Sequence, residues 1–114
     1  LRLYEGDYLE GVYDDWTSLE RERLRERYLA ALESLAGLYA GRGNLQQAVE
    51  GYQQLVVQDP YREPAHRELM RCYYRLGDRA AAIRQYQSCV KVLRDELGLS
   101  PTRETEDLYL KIID

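Results

Sequence analysis

The chain repeats itself at a spacing of 34 residues, a regularity that excludes most of the folds open to 114 residues. Residues 29–62 overlay residues 63–96, placing Leu35 on Leu69, Tyr39 on Tyr73, Gly43 on Gly77 and Ala48 on Ala82. The same shift places Val49 on Ile83, Tyr52 on Tyr86, Gln53 on Gln87 and Val56 on Val90. In each copy, apolar residues at helical spacing flank a glycine, which reads as two helices joined by a turn. One such unit cannot bury its own apolar face, so the copies must stack on each other. Ala48 and Ala82 fall where paired helices approach most closely, and a larger side chain there would overpack the contact.

Local signals divide the chain further. Residues 1–16 read as the tail of a preceding helix ending at Tyr4–Glu5, then an irregular flap containing Gly6 and Gly11. Tyr8, Leu9, Val12 and Tyr13 would pack that flap down, with Trp16 buried beside the next helix start. Thr17 and Glu20 have capping-box spacing, so a first hairpin is expected over residues 17–62. Its opening helix carries a stripe of Leu24, Tyr28, Ala31, Leu35 and Leu38, widened by Leu32 and Tyr39, and is broken by Gly41, Gly43 and Asn44. The second helix runs from Leu45 to Gln58 and stops at Asp59–Pro60. A second hairpin is expected over 63–98. Pro64 suits the first turn of its opening helix, which runs to Leu76, and Asp78 caps a helix from Arg79 to about Leu97. Gly98 followed by Leu99 has the pattern of a Schellman stop. A capping helix then opens at Pro101–Thr102 and fills 101–114, with Glu104 in its first turn and Leu108, Tyr109, Ile112 and Ile113 as its apolar face.

With 45% hydrophobic and 32% charged residues, the composition is that of a soluble globular domain, not a disordered tail. A formal net charge of −4 is the wrong sign for binding nucleic acid. The charge is nonetheless segregated: Arg62 to Arg94 hold eight bases against three acids, while both flanks are acidic. Either this basic middle steers an acidic partner, or the charges balance within the molecule. Cys72 and Cys89 sit on antiparallel helices about 9 Å out of step, too far for a disulfide, and read as small core hydrophobes in a reducing cytoplasm. The eleven tyrosines and no phenylalanine put hydroxyl-bearing rings at Tyr28, Tyr39, Tyr52, Tyr73, Tyr86 and Tyr109, where each hydroxyl must find water or a partner.

No cofactor, metal or catalytic motif emerges. The single histidine, His66, has no ligand spacing around it, and Gly41-Arg42-Gly43 is a helix break, not a phosphate cradle. One surface pattern stands out. Arg67, Arg71 and Arg75 recur one turn apart on the third helix, with Tyr74 beside them. Their counterparts one repeat earlier are Glu33, Gly37, Gly41 and, for Tyr74, Ala40. Three guanidiniums beside a small-residue floor suit a carboxylate-rich or helical peptide. Alternatively, Glu33, Glu63 and Glu68 neutralise the ladder.

The period, with Gly, Ala and Tyr at fixed offsets, resembles the tetratricopeptide (TPR) repeat. That implies an all-α, TPR-like right-handed superhelix of antiparallel hairpins with a C-terminal capping helix. The stretches LYEGDYLEGVYDDW, ERERLRERYLAALESLAGLY and AHRELMRCYYRLGDRAAAIRQYQSCVKVLRDELGLSPTRETEDLY further resemble the bacterial transcriptional activator domain of SARP-type regulators. The elements specific to that family are Gly6–Leu9, Trp16, Gly77-Asp78-Arg79, and Glu96-Leu97-Gly98 leading to Pro101 and Glu104-Thr105. The resemblance implies a non-catalytic regulatory module truncated at its N-terminus, acting beside a DNA-binding or ATPase domain. Its expected partners are protein: its own DNA-binding domain, a second protomer in a homodimer, or the transcription machinery. No membrane or direct nucleic-acid contact is implied. The other reading is a free-standing adaptor that takes a peptide in its concave groove.

Overall fold

In the computed structural model the structure describes residues 5–114, with side chains from residue 16 onward. Among these residues there are five α-helices and no strand: α1 (Glu5–Gly41), α2 (Leu45–Gln58), α3 (Glu63–Arg75), α4 (Arg79–Val92) and α5 (Arg103–Ile113). A π-helical turn (Leu93–Leu97) extends α4. The chain divides into two compact units, Leu1–Ala31 and Leu32–Asp114.

The first unit departs from expectation. Residues 5–16 continue α1 instead of forming a flap, and Thr17 lies inside the helix with its hydroxyl unpartnered. A Thr-x-x-Glu spacing marks a helix start only where the upstream chain cannot stay helical. Gly6 and Gly11 cost about 1 kcal/mol each relative to alanine, too little to stop the run. The helix end expected at Tyr4–Glu5 and the packing of Tyr8, Leu9, Val12 and Tyr13 fall outside the described residues. Trp16, expected to be buried, is exposed, as are Leu24 and Tyr28. Glu20–Arg23 (3.7 Å) and Glu22–Arg25 (3.8 Å) are exposed ion pairs on a solvated helix face, individually weak.

In the second unit, the end of α1 pairs with α2, α3 with α4, and α5 packs on α3 and α4. The two hairpin corners are built alike. Gly43 (φ 81°) and Gly77 (φ 83°) take the left-handed conformation that lacks a Cβ penalty. Asn44 N–H donates to the Tyr39 carbonyl (2.8 Å) and Asp78 N–H to that of Tyr73 (2.9 Å). Gly43 and Gly77 donate in turn to Ala40 and Tyr74, completing a Schellman stop at each corner. Asp78 then starts α4, its Oδ1 accepting from Ala81 N–H (3.1 Å). The stop at Gly98 (φ 65°) is wider by one residue, because Leu99 reaches back to Leu93 at the π turn.

The α1–α2 contact is close: a Cβ built on Gly51 would meet the Ala36 Cβ at 3.0 Å. Ala48 and Ala82 are fully buried, as their repeat position requires. Met70, Ala82 and Ile112 form a core ringed by Tyr73, Ile83, Tyr86, Leu108 and Tyr109. Tyr86 and Tyr109 stack with centroids 3.9 Å apart, and the Tyr86 hydroxyl donates to Glu106 (2.8 Å). The Tyr86 hydroxyl is thus accommodated at the core margin. Two residues expected on apolar faces, Tyr28 and Ile113, are exposed. Cys72 and Cys89 are free and buried, and burial pushes the Cys89 thiol up to about 12, leaving it un-ionised at neutral pH.

The stripe expected to bury α1 is only partly right. Leu35 and Leu38 are 49% and 59% exposed, while Ala36 is buried and Tyr39 and Ala40 half-buried one position around the helix. Periodicity locates an apolar face on a helix but does not say which of two adjacent faces a neighbour covers.

Candidate partner-binding surface

The arginine ladder is not three equivalent free cations. Arg67 is only 12% exposed and turns toward α5, meeting Glu63 at 3.8 Å and Glu104 at 3.5 Å and donating to the Thr105 hydroxyl (3.0 Å). Arg71 is partly exposed and paired with Glu68. Arg75 is exposed, and its Nη1 donates to the Ala40 carbonyl at the end of α1 (3.3 Å), where a cation favours the helix dipole. Glu33 does not meet the ladder; it pairs with Arg62 (3.2 Å), which also holds Asp59 (3.2 Å). Of the predicted groove residues, Arg71 stays partly exposed, and Tyr74 (51%) and Arg75 are exposed. Arg67 belongs to the framework.

The basic stretch is balanced in the same way. Arg79 donates to the carbonyls of Ile112 (2.7 Å) and Asp114 (3.0 Å), and Lys91 and Arg94 both meet Asp95. Several charges segregated along the sequence are therefore paired in space.

Two polar roles escaped sequence reading. Glu63, in the first turn of α3, reaches across to the start of α5. Its Oε2 accepts from Thr102 N–H (2.8 Å), the Thr102 hydroxyl (2.8 Å) and the Thr105 hydroxyl. Burial would raise this carboxyl, but the Thr105 and Thr102 hydrogen bonds, aided by Arg67, hold it below its ordinary value. Arg79 caps the opposite end of the same helix. Both residues lie more than thirty positions from their targets, so no local signal marks them.

His66 is buried. Pro60 O can only accept, so Nε2 carries the proton and donates to it (2.7 Å), while Nδ1 accepts from the Gln85 amide (2.8 Å). Burial lowers its pKa, outweighing the Pro60 bond and the charges of Glu63 and Asp59. A folded-state pKa below 6.5 gives stability that is complete above the unfolded value and declines as pH falls below it. His66 is the only histidine, so one imidazole NMR resonance reports it. That resonance is expected to titrate below pH 6.5 in the folded protein, with the urea midpoint falling as pH drops from 7.5 to 5. A His66→Gln variant should lose that slope. A titration at or above 6.5 would contradict the buried, neutral assignment.

Among the described residues no cluster of three His, Cys, Asp or Glu could hold a metal ion. No helix among them is long and apolar enough to cross a membrane. The unit is an all-helical scaffold of TPR-like architecture. A tetratricopeptide repeat domain protein from Salinibacter ruber has the same fold, with a TM-score of 0.61 and 24% identity over 75% of this chain and 96% of that one. The chain itself belongs to the bacterial transcriptional activator domain family, whose model matches residues 1–113. It is 32% identical over 113 residues to the regulatory protein AfsR of Streptomyces coelicolor, covering 99% of this chain and 11% of that protein. It is also 43% identical over 76 residues to the transcriptional regulator RedD of the same organism, covering 67% of this chain and 22% of RedD. The chain thus spans a small part of the relatives it matches.

Proposed function

We propose that this domain is a non-catalytic, cytoplasmic docking module of a bacterial transcriptional regulator, working with a DNA-binding or ATPase domain. The observation that carries the reading is the family match over residues 1–113. The relatives are a regulatory protein and a transcriptional regulator by name, and stacked helical hairpins support a role through surfaces. The partner is a protein: the regulator's own DNA-binding domain, a second protomer, or the transcription machinery. Fused to an unrelated DNA-binding domain, residues 1–114 are expected to raise a bacterial reporter under that domain's operator several-fold. A fusion that is expressed, binds the operator and leaves the reporter at the level of the DNA-binding domain alone would refute activation by direct docking to the transcription machinery.

The second reading, a peptide-capturing adaptor, is favoured by the Arg71–Tyr74–Arg75 patch. Paired charge reversal, Arg71→Glu with Arg75→Glu, is expected to cut reporter activity at least several-fold while circular dichroism stays helical. An unchanged reporter removes the groove from the mechanism and leaves the docking role to another surface.

A further inference from the structure

We propose that a notch between α1 and α3, floored by the Tyr52 hydroxyl and flanked by Glu33 and Glu68, binds a lysine side chain of a protein partner. This deepens the docking reading and rests on it. Two observations converge at the notch. Tyr52 of α2 is only 3% exposed, yet its hydroxyl has no hydrogen-bond partner among the described residues. A buried hydroxyl is ordinarily paired, as that of Tyr86 is with Glu106. The second observation is Gly37 of α1, which the hydroxyl faces: a Cβ built there would stand 3.5 Å from it. Gly37 is itself exposed, so no side chain covers the hydroxyl on that side. Internal packing does not require this glycine. Contact at 3.5 Å is ordinary, unlike that at Gly51, where the Ala36 Cβ stands at 3.0 Å. Glycine weakens a helix interior, and its use is to let a ligand approach closely.

The charge around the hydroxyl selects a cation. Glu68 of α3 and Glu33 of α1 both act on it, against Arg71 alone. The neighbouring Cys72 thiol is pushed up by burial and adds no charge at neutral pH. Arg62 and Arg71 hold the two carboxylates in place without exhausting them, since a carboxylate has about four acceptor sites. An ammonium brings three donors and no acceptor, which suits one hydroxyl oxygen and two carboxylates. Lysine carries that charge as a compact point on a flexible stem, a shape that passes the gap left by one missing side chain. A carboxylate in the same place would face two like charges.

The probe is Nα-acetyl-lysine N-methylamide, titrated into the isotope-labelled 114-residue protein and followed by NMR. Saturable shifts are expected at the Gly37 amide and around Tyr52, and none with the Nε-acetylated probe, which keeps the stem and loses the charge. Tyr52→Phe removes only an unpaired hydroxyl, so its urea midpoint should match wild type while affinity falls about tenfold, equivalent to 1.4 kcal/mol. Gly37→Gln puts a better helix former at an exposed position, so it should fold and block binding. The proposal is overturned by the absence of a saturable shift at Gly37, by equal shifts with the acetylated probe, or by unchanged affinity in both variants. A lowered urea midpoint in Tyr52→Phe also overturns it, because the hydroxyl would then serve the core. The probe reads the notch directly, so saturable lysine binding beside a silent reporter fusion refutes activation by docking and leaves the notch standing; the reverse pattern refutes the notch alone.

Discussion

Glu63→Ala is expected to destabilise the protein by about 3 kcal/mol, although Glu63 is a charged residue at a helix start. Hydrogen bonds to a charged group are worth about 1.5–3 kcal/mol each, and this carboxylate accepts three at the N-terminus of α5. Its loss also strips Arg67 of a neighbour in a half-closed site. The loss should be local before it is global: amide exchange in residues 103–113 rises first, while α2 stays protected. Glu63→Gln keeps the shape and one acceptor oxygen, so it should recover part of the loss. The pH dependence gives an independent check. A carboxyl held below its ordinary value of 4.5 contributes stability that is full above that value and is lost as pH falls through the folded-state value. The gap between wild type and Glu63→Gln should therefore close in acid. Equal α5 exchange in wild type and Glu63→Ala would show that α5 is held by its apolar face alone.

Met70→Ala should cost about 3 kcal/mol, within the 2–5 kcal/mol usual for deleting a buried side chain. Met70 has no exposed surface and lies between Ala82 of α4 and Ile112 of α5, so neither neighbour can collapse without shifting a helix. Met70→Leu conserves volume and should cost less than about 1.5 kcal/mol. Leu35→Ala is the informative comparison, because leucine at 35 and methionine at 70 occupy adjacent stripes in consecutive repeats. With Leu35 half exposed, its truncation should change the urea midpoint by less than about 0.5 kcal/mol equivalent. Comparable losses at 35 and 70 would mean that α1 buries the other face.

The two substitutions mark where sequence reading succeeded and where it stopped. Corners were legible because their cause is local: a left-handed turn selects glycine, so Gly43 and Gly77 announce themselves in any context. The buried alanines were legible because the repeat places Ala48 and Ala82 at the same close approach twice. The start of α1 was not, because a capping-box spacing is only permissive. The candidate arginine patch was half legible: the spacing showed one helix face, but Arg67 is held by Glu63, Glu104 and Thr105, contacts closed by folding α5 back onto α3.

The sequence by itself determined the number of hairpins, their corners and the family, since helical period, turn chemistry and a fixed repeat are properties of neighbouring residues. Only the tertiary structure decided which α1 face is covered, which arginines are committed, and that Glu63 and Arg79 clamp the two ends of α5. Those outcomes depend on groups from different helices meeting in space, and burial and charge pairing are set by that meeting instead of by residue type.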